Sequence, residues 1–174
     1  CLSPLANAQG PFPSSYTAPE HNPTLITTAT VLTGDGPRPE GASVPFMNGK
    51  IVEVTDSATE VAANTRVIDA QGRWVTPGVI DVHSHLGVYP SPDVDAHSDG
   101  NEATAPVTAE VWAEHSIWPQ DPGFGRALAG GVTTLQILPG SANLFGGRAV
   151  TLKNVASVSY QGMKFPGAPY GLKM

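Results

Sequence analysis

The stretch Thr76-Pro77-Gly78-Val79-Ile80-Asp81-Val82-His83-Ser84-His85-Leu86-Gly87 constrains this chain more than any other. Thr76-Pro77-Gly78 is a turn signal, because proline presets φ and glycine permits positive φ. Val79 to Val82 is a short apolar run rich in β-branched residues, the pattern of a strand buried on both faces. His83 and His85 follow at i and i+2, a spacing that in a strand points both imidazoles to the same side. Two neutral imidazoles converging on one point suit a borderline ion such as zinc. The alternative is two polar residues at a strand end, one of them merely solvated. Asp81 precedes His83 by two residues and shares its side. It either orients a ligand from behind or belongs to the hydrogen bonding of the strand end.

The chain's 174 residues suffice for one ordinary domain. They are too few for a complete (β/α)8 barrel, which typically needs about 250. Nineteen glycines and seventeen prolines imply abundant turns and loops. A net charge of -6 leaves no basic patch, which argues against nucleic acid as a partner. No apolar run approaches the roughly 20 residues of a membrane-spanning helix. The single cysteine, Cys1, excludes an internal disulfide and a cysteine-based zinc cluster.

Cys1 opens a segment, Leu2 to Pro23, rich in Ala, Pro, Ser, Asn and Gly and without hydrophobic period. Residues 1–23 therefore read as a flexible tether. A processed N-terminal cysteine followed by a tether resembles a mature bacterial lipoprotein, whose cysteine carries lipid; a boundary that falls at Cys by accident is the alternative. The expectation is an exported protein, periplasmic or secreted, with a lipid anchor at Cys1 on the first reading.

Residues 24–76 read as short strands. Leu25 to Thr33 is β-branched, Ala42 to Phe46 is a second run, and Asn48-Gly49 is a strong hairpin signal before Lys50 to Thr55. Thr65 to Asp69 and Arg73 to Val75 flank a tight connection at Ala70-Gln71-Gly72. Residues 77–174 change character. Gly87 to Pro106 has no period and reads as a loop, with His97 either a substrate contact or a solvated side chain. Thr108 to Ile117 is expected to be a short helix with Thr108 as N-cap. Asp121 caps a second helix over Phe124 to Ala129, with Pro122 at its first position and Gly130-Gly131 as its stop. Val132 to Leu138 is then a strand, and Ala149 to Lys153 another. Arg148, just after a glycine pair, has a fork of donors suited to a substrate carboxylate, although surface exposure is its commoner fate.

The run Pro77-Gly78-Val79-Ile80-Asp81-Val82-His83-Ser84-His85 resembles the first barrel strand of the metal-dependent amidohydrolase superfamily. Its flanks resemble the imidazolonepropionase-like branch, over roughly Leu25 to Met174. The resemblance implies the N-terminal part of a (β/α)8 TIM-like barrel, preceded by half of a small β-sandwich. It implies one or two divalent ions, zinc above all, with His83 and His85 as ligands, and hydrolysis of an amide by metal-activated hydroxide. The amide is either dipeptide-like or a cyclic C–N bond. Deamination of a heterocycle on the same scaffold and a non-catalytic periplasmic binding module are the alternatives.

Members of the superfamily often carry a carboxylated lysine at the end of the fourth strand. At roughly 31 residues per β/α unit, that point falls near position 176, so Lys173 is the leading bridge and Lys153 and Lys164 are weaker ones. A structural or surface lysine is the alternative, and related branches use Glu or no bridge. The remaining ligands of such a site would lie on later strands. A complementary C-terminal chain completing the barrel, a small amide substrate and an oligomer are therefore expected. This chain alone would be inactive.

Overall fold

The computed structural model describes residues 12–56 and 61–174. Cys1, with its expected lipid anchor, and the rest of residues 1–11 of the expected tether lie outside the described residues. The chain divides into two compact units, Ala18–Pro77 and Gly78–Met174, the latter joined by the described residues up to Thr17.

The first unit is a five-stranded sheet. Its strands are β1 (Thr24–Val31), β2 (Ala42–Met47), β3 (Lys50–Ile51), β4 (Arg66–Asp69) and β5 (Trp74–Val75). Their order is β3-β2-β1-β4, with β5 also on β1. The hairpin between β2 and β3 turns at Asn48 and Gly49, both at positive φ, as that dipeptide requires. The short strands are not antiparallel throughout. Strands β2 and β3 are antiparallel neighbours, but β4 and β5 both run parallel to β1. The reason is in β1. It is irregular between Ile26 and Ala29, and Thr28 sits at φ +49. That break lets one long strand pair β4 along its first half and β5 along its second. Ala29, Val31, Ala42, Val44 and Ala70 form the small core, with Ile26, Phe46 and Val75 packed around it.

The second unit is built on one strand–helix–strand step. Strand β6 (Val79–Ser84) is followed by a loop, then α1 (Pro122–Ala129), then β7 (Val132–Ile137), which pairs parallel with β6. Both α1 and β7 lie where the Asp121-Pro122 start and the Gly130-Gly131 stop place them. Leu135 and Ile137 on β7 face Leu152 and Val150 on β9 (Val150–Lys153), and all four are fully buried. Phe124 from α1 and Met163 from α2 (Tyr160–Met163) cover them, and Val88 and Ile117 close the cluster. Burying a large aliphatic side chain contributes about 1.5–3 kcal/mol.

Four sequence expectations are corrected in this unit. Val79 to Val82 is not buried on both faces: Val79, Ile80 and Val82 are 53%, 63% and 69% exposed. Strand β6 is the edge of a three-stranded sheet, β6-β7-β9, and its apolar residues find no cover among the described residues. Strand β9 was expected to continue a parallel barrel, but it is antiparallel to β7, because the connection between them holds no helix to carry the chain back to the starting end. Lys173 does not end a fourth parallel strand. It lies on β10 (Leu172–Lys173), antiparallel to β8 (Gly147–Arg148). Thr108 to Ile117 forms no α-helix, only a 3-10 turn at Ala113–Ser116. The Thr108 hydroxyl, expected to cap, instead donates to Phe145 O at 3.0 Å and accepts from Asn143 Nδ2 at 2.7 Å. The result is a partial α/β domain in which the described residues close no barrel.

Phe12, Ser14 and Ser15, within the expected tether, are packed rather than loose. The Phe12 ring meets Trp112 and His115 edge-on, Ser15 N donates to Gln161 O, and the Ser14 hydroxyl donates to Lys164 O at 2.6 Å.

Candidate metal centre

Strand β6 delivers His83 near its end, and His85 stands just beyond it. Alternation puts both rings on one side. Their centroids are 5.3 Å apart and the ring planes are crossed at 79°. A tetrahedral ion held at about 2 Å by two imidazole nitrogens sets ring centroids about 5 Å apart, so the pair fits a zinc-class ion.

The tautomer of His85 is set by the fold. Its Nδ1 lies 2.9 Å from Leu138 O, a carbonyl just past the end of β7. A carbonyl only accepts, so Nδ1 carries the proton and Nε2 keeps its lone pair for a ligand. His83 is braced differently: its backbone N–H donates to Asp81 Oδ1 at 3.1 Å. Asp81 thus acts on the strand at His83, the second of its two sequence readings.

Lys173 reaches the same place from the far end of the chain. Its Nζ is 3.3 Å from His83 Nε2, and the residue is 9% exposed. Its strand is stitched down by Gly146 N donating to Lys173 O at 3.0 Å. No carboxylate forms a salt bridge with this amine among the described residues. The other two lysines are engaged elsewhere. Lys164 pairs with Glu114 at 2.5 Å, and Lys153 lies over the rings of Tyr16 and Phe165. Of the three, Lys173 alone touches the histidine pair. Among the described residues no cluster of three or more His, Cys, Asp or Glu side chains gathers at one point. The donor set is therefore two imidazoles and one buried amine.

The two sequence candidates for substrate contact stand apart from this set. Arg148 lies over the Trp112 ring at 4.3 Å and donates from Nε to Ala109 O at 3.1 Å. It lines an open cleft of about 350 Å³ with Ala109, Tyr170, Gly171 and Leu172. Leu172 and Lys173 are consecutive on β10, so their side chains leave by opposite faces. The cleft and Arg148 are on the Leu172 side, away from the Lys173 amine. His97 ends a short 3-10 turn and its ring is tilted against Trp118 at 5.2 Å.

Of two residues that sequence reasoning did not assign to the centre, one touches it and the other binds the loop beside it. The Tyr89 ring meets His85 edge-on at 5.6 Å, and its hydroxyl accepts from Asn101 Nδ2 at 2.6 Å. Burial pushes that phenol above its ordinary value, although the Asn101 bond opposes the shift. The hydroxyl sits where a Cβ on Gly140 would come within 2.3 Å. Asp121, read from sequence as a helix cap, also binds the loop that follows His85. The Asp-Pro pair signals the cap, whereas no local signal announces the long-range bonds.

No protein-family model matches the chain. Sequence relatives do. The chain is 36% identical over 148 residues to the amidohydrolase tasK of Hapsidospora irregularis, covering 76% of this chain and 15% of that protein. It is 31% identical over 143 residues to an imidazolonepropionase of Chromobacterium violaceum, covering 69% of this chain and 34% of the relative. A solved amidohydrolase from Thermotoga maritima superposes with a TM-score of 0.78 at 38% identity, over 87% of this chain and 38% of that one. The chain belongs to the amidohydrolase superfamily, in its imidazolonepropionase-like branch, and it spans well under half the length of these relatives.

Proposed function

We propose that the protein is a metal-dependent hydrolase that cleaves an amide C–N bond, with His83 and His85 as ligands of a zinc ion and Lys173 as a bridge to a second. The observation that carries this reading is the buried Lys173 amine, 3.3 Å from His83 Nε2 and without a carboxylate partner. A buried charge without compensation is costly. Reaction of the neutral amine with carbon dioxide forms an N–C bond and releases a proton, leaving a carbamate. That exchange converts the amine into an oxygen donor of opposite charge beside two imidazoles. When bound, the ions supply Lewis-acid chemistry and acidify water. The protein's own part is to present His85 Nε2 through the Leu138 carbonyl and to hold His83 through Asp81.

A heterocycle deaminase on the same scaffold is the competing reading, and the position of Lys173 favours the bridged pair of ions over it. The remaining ligands belong, on this proposal, to a further part of the protein that covers Val79, Ile80 and Val82 and pairs the open edge of β6. The greater length of the relatives supports this. Metal analysis of the intact protein tests the reading: about two zinc ions per protein are expected, carbamate carbon should be visible after labelling with ¹³CO₂, and amide hydrolysis should depend on the metal. One ion and no carbamate would favour the deaminase; no bound metal would leave a binding module.

A further inference from the structure

We propose that Asp121 is a positioning residue for His85: its buried carboxylate fixes the turn from which that imidazole is aimed. The inference rests on the reading of His83 and His85 as metal ligands. Asp121 is 2% exposed, and no cation pairs with it among the described residues. Its charge is met by backbone N–H groups alone. Oδ1 accepts from Gly123 N at 2.8 Å and from Ser91 N at 3.1 Å, and Oδ2 accepts from Gly87 N at 2.9 Å.

Only the first of these bonds caps α1, and a serine or threonine hydroxyl would provide it. The other two reach the segment directly after His85. Within that segment, Val88 N and Tyr89 N both donate to His85 O at 3.1 Å. The His85 carbonyl is thus closed inside a turn that hangs at Gly87 and Ser91 from one carboxylate. The turn has little room to shift. Gly87 is at φ +79, and a Cβ there would lie 3.0 Å from Ile117 and 3.1 Å from the Phe124 ring. Leu138 O orients the His85 ring, while Asp121 fixes the backbone from which the ring extends.

The chemistry calls for a carboxylate. All three partners are donors, so every lone pair used must accept, and an asparagine would turn its NH₂ toward one of them. Bonds from backbone N–H to an ionised carboxylate are also the stronger kind. A cap alone explains neither the charge nor the two bonds to the loop.

Zinc affinity of the intact protein, measured by competition with a chromophoric chelator, tests this independently of activity. The absorption bands of the cobalt-substituted protein report ligand geometry. Asp121→Ser keeps the cap and removes the loop bonds, and Asp121→Asn keeps the shape and loses one acceptor. Asp121→Ser should weaken zinc binding about ten- to a hundredfold, the scale for loss of a group that supports a ligand, and should shift the cobalt bands. Asp121→Asn should lie between it and the parent. Val44→Ala, a core change in the other compact unit, should lower the melting temperature and leave zinc affinity unchanged.

The proposal is overturned if both Asp121 variants bind zinc within twofold of the parent, or if Val44→Ala loses as much affinity as they do. A His83→Ala, His85→Ala variant separates the two levels. If it keeps zinc, the ligand assignment itself falls. If it loses zinc while the Asp121 variants bind normally, only the positioning role falls.

Discussion

Two buried lysines in one unit show how different the fate of the same side chain can be. Lys164 is 7% exposed and Lys173 is 9% exposed. Lys164 donates to Glu114 at 2.5 Å, to the Tyr170 hydroxyl and to Phe12 O. All three donors of its ammonium are used, and Glu114 balances its charge. Lys173 has a neighbouring imidazole and no carboxylate among the described residues. The first is a complete buried ion pair, of the kind whose loss leaves a stranded charge. The second has no such partner among the described residues, and the proposed carbamate would replace its positive charge with a negative one. Depth of burial does not separate them; the partners do.

The largest expected effect breaks the comparison on the Lys173 side. His83→Ala with His85→Ala should abolish zinc binding and reduce amide hydrolysis by more than the roughly 10–100-fold that loss of a supporting residue costs. Lys173→Met should do similar harm to function and halve the metal content, yet change unfolding free energy by at most about 1 kcal/mol, because no opposite charge is stranded. Full hydrolytic activity in either variant would refute the assignment.

The next effect belongs to Lys164. Lys164→Met strands the Glu114 carboxylate in the interior and should cost about 3–5 kcal/mol in urea unfolding. Adding Glu114→Leu should recover most of that. If the double variant is as unstable as the single, the pair is not the source of the cost.

Alkaline pH sharpens the contrast further. Burial pulls the Lys164 ammonium down, but hydrogen bonds to Glu114 and Tyr170 outweigh it and hold the group above its ordinary 10.5. A raised folded value means that the contribution is fully present below about pH 10.5 and disappears as pH rises through the folded value. Melting temperature should therefore fall more steeply above that pH in the parent and in Lys173→Met than in Lys164→Met.

The smallest effect lies in the other unit and serves as a baseline. Asp69 is held below its ordinary 3.8, first by the Thr28 hydroxyl and then by Gln71 N. Its contribution is present above pH 3.8 and is lost as pH falls through the lower folded value. In Thr28→Val, an NMR titration of the Asp69 carboxyl should move up toward the ordinary value, with no change in zinc content.

Much of the frame is legible in local sequence. The hairpin at Asn48-Gly49, the helix between Asp121-Pro122 and Gly130-Gly131, the strand after it and the His-x-His spacing all follow from backbone preferences and side-chain alternation within a few residues. What fails is whatever depends on distant partners. The apolar run Val79 to Val82 signals a buried strand, but burial requires neighbours on both sides, and β7 supplies only one. Thr108 has the chemistry of a cap, yet Asn143 and Phe145 claim its hydroxyl first. Counting barrel units points to Lys173, but β9 and β10 are not parallel barrel strands, so the described fold does not follow that spacing.

Local sequence already sends two imidazoles out of one strand on one side, because period-two alternation needs no tertiary contact. It also determined that α1 begins at Asp121 and stops at the glycine pair. Tertiary folding alone selects which lysine meets the histidines, since Lys173 and His83 are 90 residues apart in sequence. It likewise gave Asp121 two bonds beyond its cap and gave Lys164 to Glu114. These outcomes turn on which buried group finds which partner, and a chain settles that only when it closes on itself.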